Sequence, residues 1–208
     1  LLSEQLNRSR LKLARVLEPL IEQELKELGM EKSQFSVSFE RLDKYTHRGY
    51  DRVCFMLSSN PGEPLRPLAR IASGGEVSRL LLAFKLVLKI KQPVPTLIFD
   101  EIDAGISGKT ALVVSHKLAR LAQEHQVLCI SHLPVIAAMA DQQLWIEKKL
   151  GRQKTRVNVN ALSEEQRLAR LAQMGSGTIT DSGLEGAREI FAHAHEFKAD
   201  LPVTLHCA

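Results

Sequence analysis

The sequence predicts an α/β fold, a partly parallel sheet flanked by helices and led by a long N-terminal helix. Three observations predict it. Residues 1–28 carry leucines at helical spacing with charges between them. Short apolar runs at 96–99 and 127–130 alternate with helical segments, the arrangement of parallel strands covered by helices. Each run ends in residues able to do chemistry, Asp100 and Glu101 after the first, Ser131 and His132 after the second.

The 208 residues suit one large domain or two small ones, with enough chain to bury a real core. Against 28 basic residues stand 24 acidic ones, and the net charge of +4 permits contact with a polyanion without demanding it. Cys54, Cys129 and Cys207 are too far apart for zinc-ligand spacing and odd in number. The first two lie in apolar runs and are expected as buried free thiols, in a reducing compartment. No apolar run approaches the ~20 residues of a membrane span, so no membrane partner is expected. No signal peptide is visible, and Leu1 is not an initiator residue, which suggests a piece of a longer chain.

In chain order, Leu6, Leu13 and Leu20 recur seven apart, as at the end of a coiled coil or on an amphipathic helix packed on a core. Pro19 is expected to break or kink this helix and Gly29 to cap it. Phe35, Val37 and Phe39, then Val53, Phe55 and Leu57, alternate with polar or smaller residues. They predict a hairpin whose turn is the polar stretch 44–49. Lys44, Arg48 and Arg52 with Tyr45 and Tyr50 make a small basic-aromatic cluster near its tip. A proline-rich loop at 60–70 leads to a helix at about 75–91, apolar on most faces and therefore buried. Pro93 and Pro95 end it before the strand at 96–99. There follow a helix at 107–123, a strand at 127–130, a helix at 134–140, a strand at 143–147 and an edge strand around Val157 and Val159. Ser163 and Gln166 have capping-box spacing and start a helix to about Gln173, broken by 174–177. A last helix spans about 181–197, and the tail from Ala199 is expected to be loose.

Three segments carry the chemistry. Ser73-Gly74-Gly75 opens a helix, where glycines admit close approach and free N–H groups favour an anion. The same residues would equally serve as a plain helix cap. Asp100 ends a buried strand and could hold Mg2+ through water as a hard oxygen ligand. Glu101 could orient or deprotonate an attacking water. His132, one strand later, could bond a phosphate oxygen or a water. Gly105-Ile106-Ser107-Gly108-Lys109-Thr110 imitates a phosphate-binding P-loop, but Asp103 stands where the first glycine of Gly-x-x-x-x-Gly-Lys-Thr belongs.

Taken together, these segments resemble the C-terminal lobe of an ABC-type ATPase head. Ala72-Ser73-Gly74-Gly75-Glu76 resembles the ABC signature, Thr96–Glu101 the Walker B strand, Ala104-Gly105-Ile106-Ser107 the D-loop and Ser131-His132 the H-loop. Within the class, three stretches resemble the bacterial DNA repair branch of the SMC/Rad50-like family: 60–65 leading into 71–79, then 99–108, then 129–134. Ser107 stands where most relatives end the D-loop in aspartate, a feature of that branch.

The resemblance implies that residues 1–30 are the end of a coiled coil entering the head, 31–198 the C-terminal lobe and 199–208 a flexible tail. It implies ATP and Mg2+ as cofactors, with Asp100 on the metal and Glu101 and His132 catalytic toward ATP held in the chain's own head. Ser73, Gly74, Gly75 and Glu76 would contact ATP held by a second head. The implied partners are an N-terminal lobe of the same protein, a homodimer closed through ATP-bound heads, and DNA at double-strand breaks in the bacterial cytoplasm and nucleoid. Two other readings use different residues: a self-contained NTPase with a degenerate P-loop at 105–110, and a DNA-binding or dimerisation module using the basic residues of 41–52 and 148–156.

Overall fold

The computed structural model describes residues 1–71, 73–88, 94–150 and 155–202, without the side chains of 149, 150 and 155. It divides into two compact units. The first holds Leu1–Val94 and Ile98–Ile106, the second Pro95–Leu97 and the chain from Ser107 on.

In the first unit, α1 spans Leu2–Glu27 and buries Ala14, Leu17, Ile21 and Leu25, one stripe at helical spacing. The helix does not break at Pro19. One missing N–H bond is outweighed by a buried face that continues on both sides of the proline. Gly29 ends the helix as expected, at φ 79°. Its N–H bonds the Lys26 carbonyl at 3.2 Å, and the Met30 N–H reaches back to Leu25 at 2.9 Å, a Schellman closure.

The predicted hairpin is present. β1 (Gln34–Thr46) pairs antiparallel with β2 (Gly49–Ser58), and β3 (Arg66–Pro67) adds to β2. Its turn is shorter than expected, only His47 and Arg48, because β1 continues to Thr46 after a register shift past Arg41. Part of the basic-aromatic cluster is spent within the hairpin. Arg41 lies 4.8 Å over the Tyr50 ring, which meets Tyr45 edge-on at 5.8 Å, and Arg52 pairs with Glu40.

α1 also closes the outer edge of β1. Glu22 accepts from the Phe35 N–H at 3.0 Å and Glu18 from the Val37 N–H at 2.7 Å, so two edge donors are satisfied by carboxylates. On the sheet face, Phe35 and Phe55 pack against Phe84 of α2 (Gly74–Val87), with ring centres 5.4 and 5.3 Å away. α2 ends at Val87, earlier than expected, because Leu88 is already extended. Residues 89–91 and Pro93 lie outside the described residues.

β4 (Thr96–Phe99) follows, and in the second unit come α3 (Gly108–Leu121), β5 (Gln126–Cys129), α4 (Pro134–Ala138), β6 (Leu144–Leu150), β7 (Thr155–Ala161), α5 (Glu164–Ser176) and α6 (Asp181–Ala199). Every element expected from 96 onward is present, with ends shifted by up to three residues. The described strands form three sheets: β1–β2–β3, β4–β5 and β6–β7. The β4–β5 pair is the parallel part, and β6–β7 is antiparallel.

Ala119, Ala138, Met139, Leu171, Ala172, Ala187, Phe191 and Ala194 form one buried cluster of the second unit; its small residues let α4, α5 and α6 approach closely. The Ser163 capping box is complete, with Ser163 and Gln166 bonding in both directions. α5 runs through Gly175 to Ser176, three residues past its expected end, and stops inside the expected 174–177 break. Its true stop is Gly177 at φ 78°, where the left-handed backbone costs glycine least. Cys54 and Cys129 are only half-buried, so the expected burial does not hold. Cys54 alternates with Val53 and Phe55 and faces away from the aromatic core; Cys207 lies outside the described residues.

One histidine cluster here escaped the sequence. His116 of α3 stacks on Phe197 at 3.7 Å and on His193 at 5.5 Å, both on α6, and its Nε2 is buried without a hydrogen-bond partner. Burial, then the neighbouring His193 and Arg120, hold the His116 pKa below its ordinary value. The folded chain therefore resists a proton that the unfolded chain accepts below about pH 6.5. Stability is expected to fall as pH drops through that value. Melting midpoints measured at pH 7.5 and 5.5 should show a smaller drop in His116→Gln than in the parent.

Candidate functional site

Ser73 caps α2, its hydroxyl accepting from the Glu76 N–H at 3.4 Å, so the plain capping role is real. Glu76 is itself held, accepting from the Ser59 hydroxyl at 2.6 Å. Ala72 lies outside the described residues.

The helix start packs directly on the residues that follow β4. A Cβ on Gly74 would collide with the Glu101 carboxylate. A Cβ on Gly75 would lie 2.9 Å from both the Ala104 Cβ and the Glu101 carbonyl oxygen. Both glycines are thus explained by close approach. Ser73–Glu76 and Asp100–Ala104, far apart in sequence, form one site.

The Asp100–Ile106 segment leaves β4 through successive turns, with Ala104 N–H bonded to Glu101 at 3.0 Å and Ile106 N–H to Asp103 at 3.3 Å. Glu101 sits at φ 56°, the one non-glycine left-handed residue among the described residues. Such a backbone costs on the order of 1–3 kcal/mol and persists where surroundings impose it. Here α2 imposes it. Ser78 Oγ donates to the Asp100 carbonyl at 2.6 Å, and Arg79 Nη1 donates to the carbonyls of Ile102 at 3.2 Å and Ala104 at 2.8 Å. Alternate carbonyls of the turn are thus held by adjacent side chains of one helix. Arg79 is buried, and burial lowers its pKa, partly countered by Glu76. The Asp100 and Glu101 side chains remain exposed to solvent.

Sequence reasoning missed Ser78 and Arg79. The available signal was an arginine inside the apolar run Val77–Phe84, where a charged side chain needs a buried reason. Ser107, at the start of α3, and His132, on the exposed segment between β5 and α4, belong to the second unit. Ser131 Oγ accepts from the Leu133 N–H at 3.0 Å and shapes that segment. Gly108, Lys109 and Thr110 do start a helix, as a P-loop would require. The place of the first P-loop glycine, however, holds the buried Asp103.

No family model matches the chain. Its sequence is 42% identical over 194 residues to the DNA repair protein RecN of Vibrio cholerae, covering 92% of this chain and 35% of the relative. It is 38% identical over 201 residues to RecN of Bacillus subtilis, covering 89% and 35%. The chain is homologous to one part of the RecN DNA repair proteins. It spans about a third of the length of those RecN relatives. The fold is similar to the Smc head domain with a coiled coil and joint from Pyrococcus yayanosii, at TM-score 0.53 and 19% identity, over 80% of this chain and 30% of that one. The resemblance read from the signature-like and Walker B-like segments therefore agrees with RecN similarity along nearly the whole chain.

Proposed function

We propose that this chain is the C-terminal part of a RecN-like, SMC-type ATPase that acts in DNA double-strand break repair through ATP-driven head dimerisation and hydrolysis. The observation that carries this reading is the packing of Ser73–Gly75 against the strained Glu101 turn. It joins an anion-favouring helix start to two exposed carboxylates at the end of a parallel strand.

In this reading the N–H groups and the Ser73 hydroxyl contact the γ-phosphate of ATP held by a second head, with Glu76 fixing the helix start. Glu101 orients and deprotonates the attacking water on ATP held in its own head, and His132 bonds a phosphate oxygen there. Ala104, Gly105, Ile106 and Ser107 form the D-loop facing the second head.

Asp100 would hold Mg2+. Among the described residues no three acids, histidines or cysteines gather into a metal cluster. A single exposed carboxylate nevertheless fits this ion, which keeps several waters and takes phosphate oxygens for the rest. When bound, the ion neutralises charge on the phosphates.

The proposed partners follow. A cavity of about 660 Å3 opens between β5 and β6, lined on the two sides by strand residues such as Val127, Cys129, Leu144 and Ile146. Leu128 and Ile130, which also line it, are 45% and 55% exposed, an unusual load of apolar surface for strands. The N-terminal lobe of the same protein would fill this gap and bring the P-loop lysine. On α1, the exposed Leu6, Leu13 and Leu20 would pair with the returning arm of a coiled coil, which makes residues 1–30 its end, 31–198 the lobe and 199–208 the tail. DNA is the proposed substrate of the closed dimer, in the cytoplasm at the nucleoid. No helix among the described residues is long and apolar enough to cross a membrane.

The division of labour has a direct test. The 208-residue chain alone is expected to hydrolyse no ATP, and mixing with or fusion to its N-terminal lobe to restore turnover. Steady turnover by the purified piece, resistant to further purification, would contradict the proposal.

A further inference from the structure

We infer that Arg79, assisted by Ser78, is a positioning residue that sets the geometry of Glu101 and ties it to the phosphate-facing start of α2. The inference rests on the ATPase reading above and names the residues that would control its chemistry.

The argument starts from the backbone. Glu101 adopts φ 56°, which a side chain other than glycine rarely accepts. Relaxation of that residue would swing its carboxylate elsewhere. The turn resists relaxation because the carbonyls before and after it are occupied: Asp100 by Ser78, Ile102 and Ala104 by Arg79. One guanidinium nitrogen bridges two carbonyls at 3.2 and 2.8 Å, from a side chain that is itself buried. Its Nε is buried without a hydrogen-bond partner, so the group is held in place for the Nη1 bonds rather than for full satisfaction. Lysine could keep the charge, but its Nζ sits one bond short of the Nη1 that meets both carbonyls.

The second half of the argument is position. Arg79 lies one turn along α2 from Gly75, and a Cβ on Gly75 would stand 3.4 Å from Arg79 Nη1. The helix that presents its N–H groups to one nucleotide thus grips the turn that presents Glu101 to another. A displacement of the helix start on phosphate engagement moves Ser78 and Arg79 with it, and through them the carbonyls that fix Glu101. Arg79 therefore acts through Glu101 and touches no reacting atom.

The test uses the full-length protein and its ATP turnover, with ATP binding followed by a fluorescent ATP analogue. Arg79→Lys is expected to lower kcat about 100-fold, the scale of a 1 Å misplacement. Its affinity for the analogue should change less than about threefold, since no contact to nucleotide is lost. In single turnover, Arg79→Lys combined with Glu101→Gln should be no slower than Glu101→Gln alone, because a residue acting through Glu101 has nothing left to position. Losses that multiply in the double variant, or an unchanged kcat in Arg79→Lys, overturn the inference. Should Arg79→Lys fail to fold by circular dichroism, Ser78→Ala carries the test. It removes one hydroxyl and is expected to lower kcat by about tenfold, one lost hydrogen bond on the positioning side; unchanged kcat there also overturns it. Absence of ATP turnover in the parent protein would sink the proposed function itself, whereas parent turnover with insensitive variants sinks only the role of Arg79.

Discussion

Glu101→Gln, made in the protein that carries both lobes, is expected to keep ATP binding and lose turnover by roughly 10²–10⁴, the usual contribution of a general base. The substitution is nearly isosteric and leaves the left-handed backbone at φ 56° as it is, so little else should change. ATP-dependent head dimers should accumulate because they close and cannot reopen by hydrolysis; gel filtration with ATP would show them. Glu101→Gly separates backbone from chemistry. Glycine relieves the strain and is expected to raise the melting midpoint while turnover is lost. Turnover unchanged in Glu101→Gln would remove this residue from the catalytic role.

Gly75→Ala should be the most damaging single methyl in the site. Its Cβ would stand 2.9 Å from the Ala104 Cβ and from the Glu101 carbonyl oxygen, neither of which can rotate away. Overpacking of this kind costs about 1–3 kcal/mol. For a chain of this size that lowers the melting midpoint by about 2–12 °C. Turnover should fall as well, since relief requires the helix start and the Glu101 turn to separate. Gly74→Ala makes a sharp contrast. Its new methyl meets only the Glu101 side chain, whose carboxylate end can swing aside. The midpoint should move by no more than about 2 °C, within the range of ordinary surface changes, yet turnover should drop because the displaced group is the proposed base. Thermal melts and ATPase rates on both variants check the pair. Equal melting midpoints for the two would refute the packing account.

The order of elements was readable because each has a local cause. Leucine spacing marked α1, alternation marked β1 and β2, and Ser163 with Gln166 marked the start of α5 through a cap that the structure completes. Errors fell where local rules met tertiary packing. Pro19 signals a break, but the buried stripe from Ala14 to Leu25 carries the helix through it. The stretch 44–49 looks like turn throughout, yet the Tyr45–Tyr50 contact and the pairing of Thr46 with Gly49 keep strand geometry almost to the tip. The break expected over 174–177 narrows to Gly177, which takes the left-handed position that ends the helix.

The sequence alone picked out the segments proposed to carry the site: Ser73–Glu76 at a helix start, Asp100 and Glu101 after an apolar strand whose Ile98 the structure leaves exposed, and His132 one strand later. Their residue types and order suffice, because glycine tolerance, helix-end donors and strand-end carboxylates are local properties. Only the tertiary structure decided that the first two segments touch, that Gly75 leaves no room for a methyl, and that Glu101 is held left-handed by Ser78 and Arg79. Those facts depend on close contacts and hydrogen bonds between residues more than twenty positions apart. No local pattern records them, since an arginine that grips a distant carbonyl is spelled the same way as one that faces water.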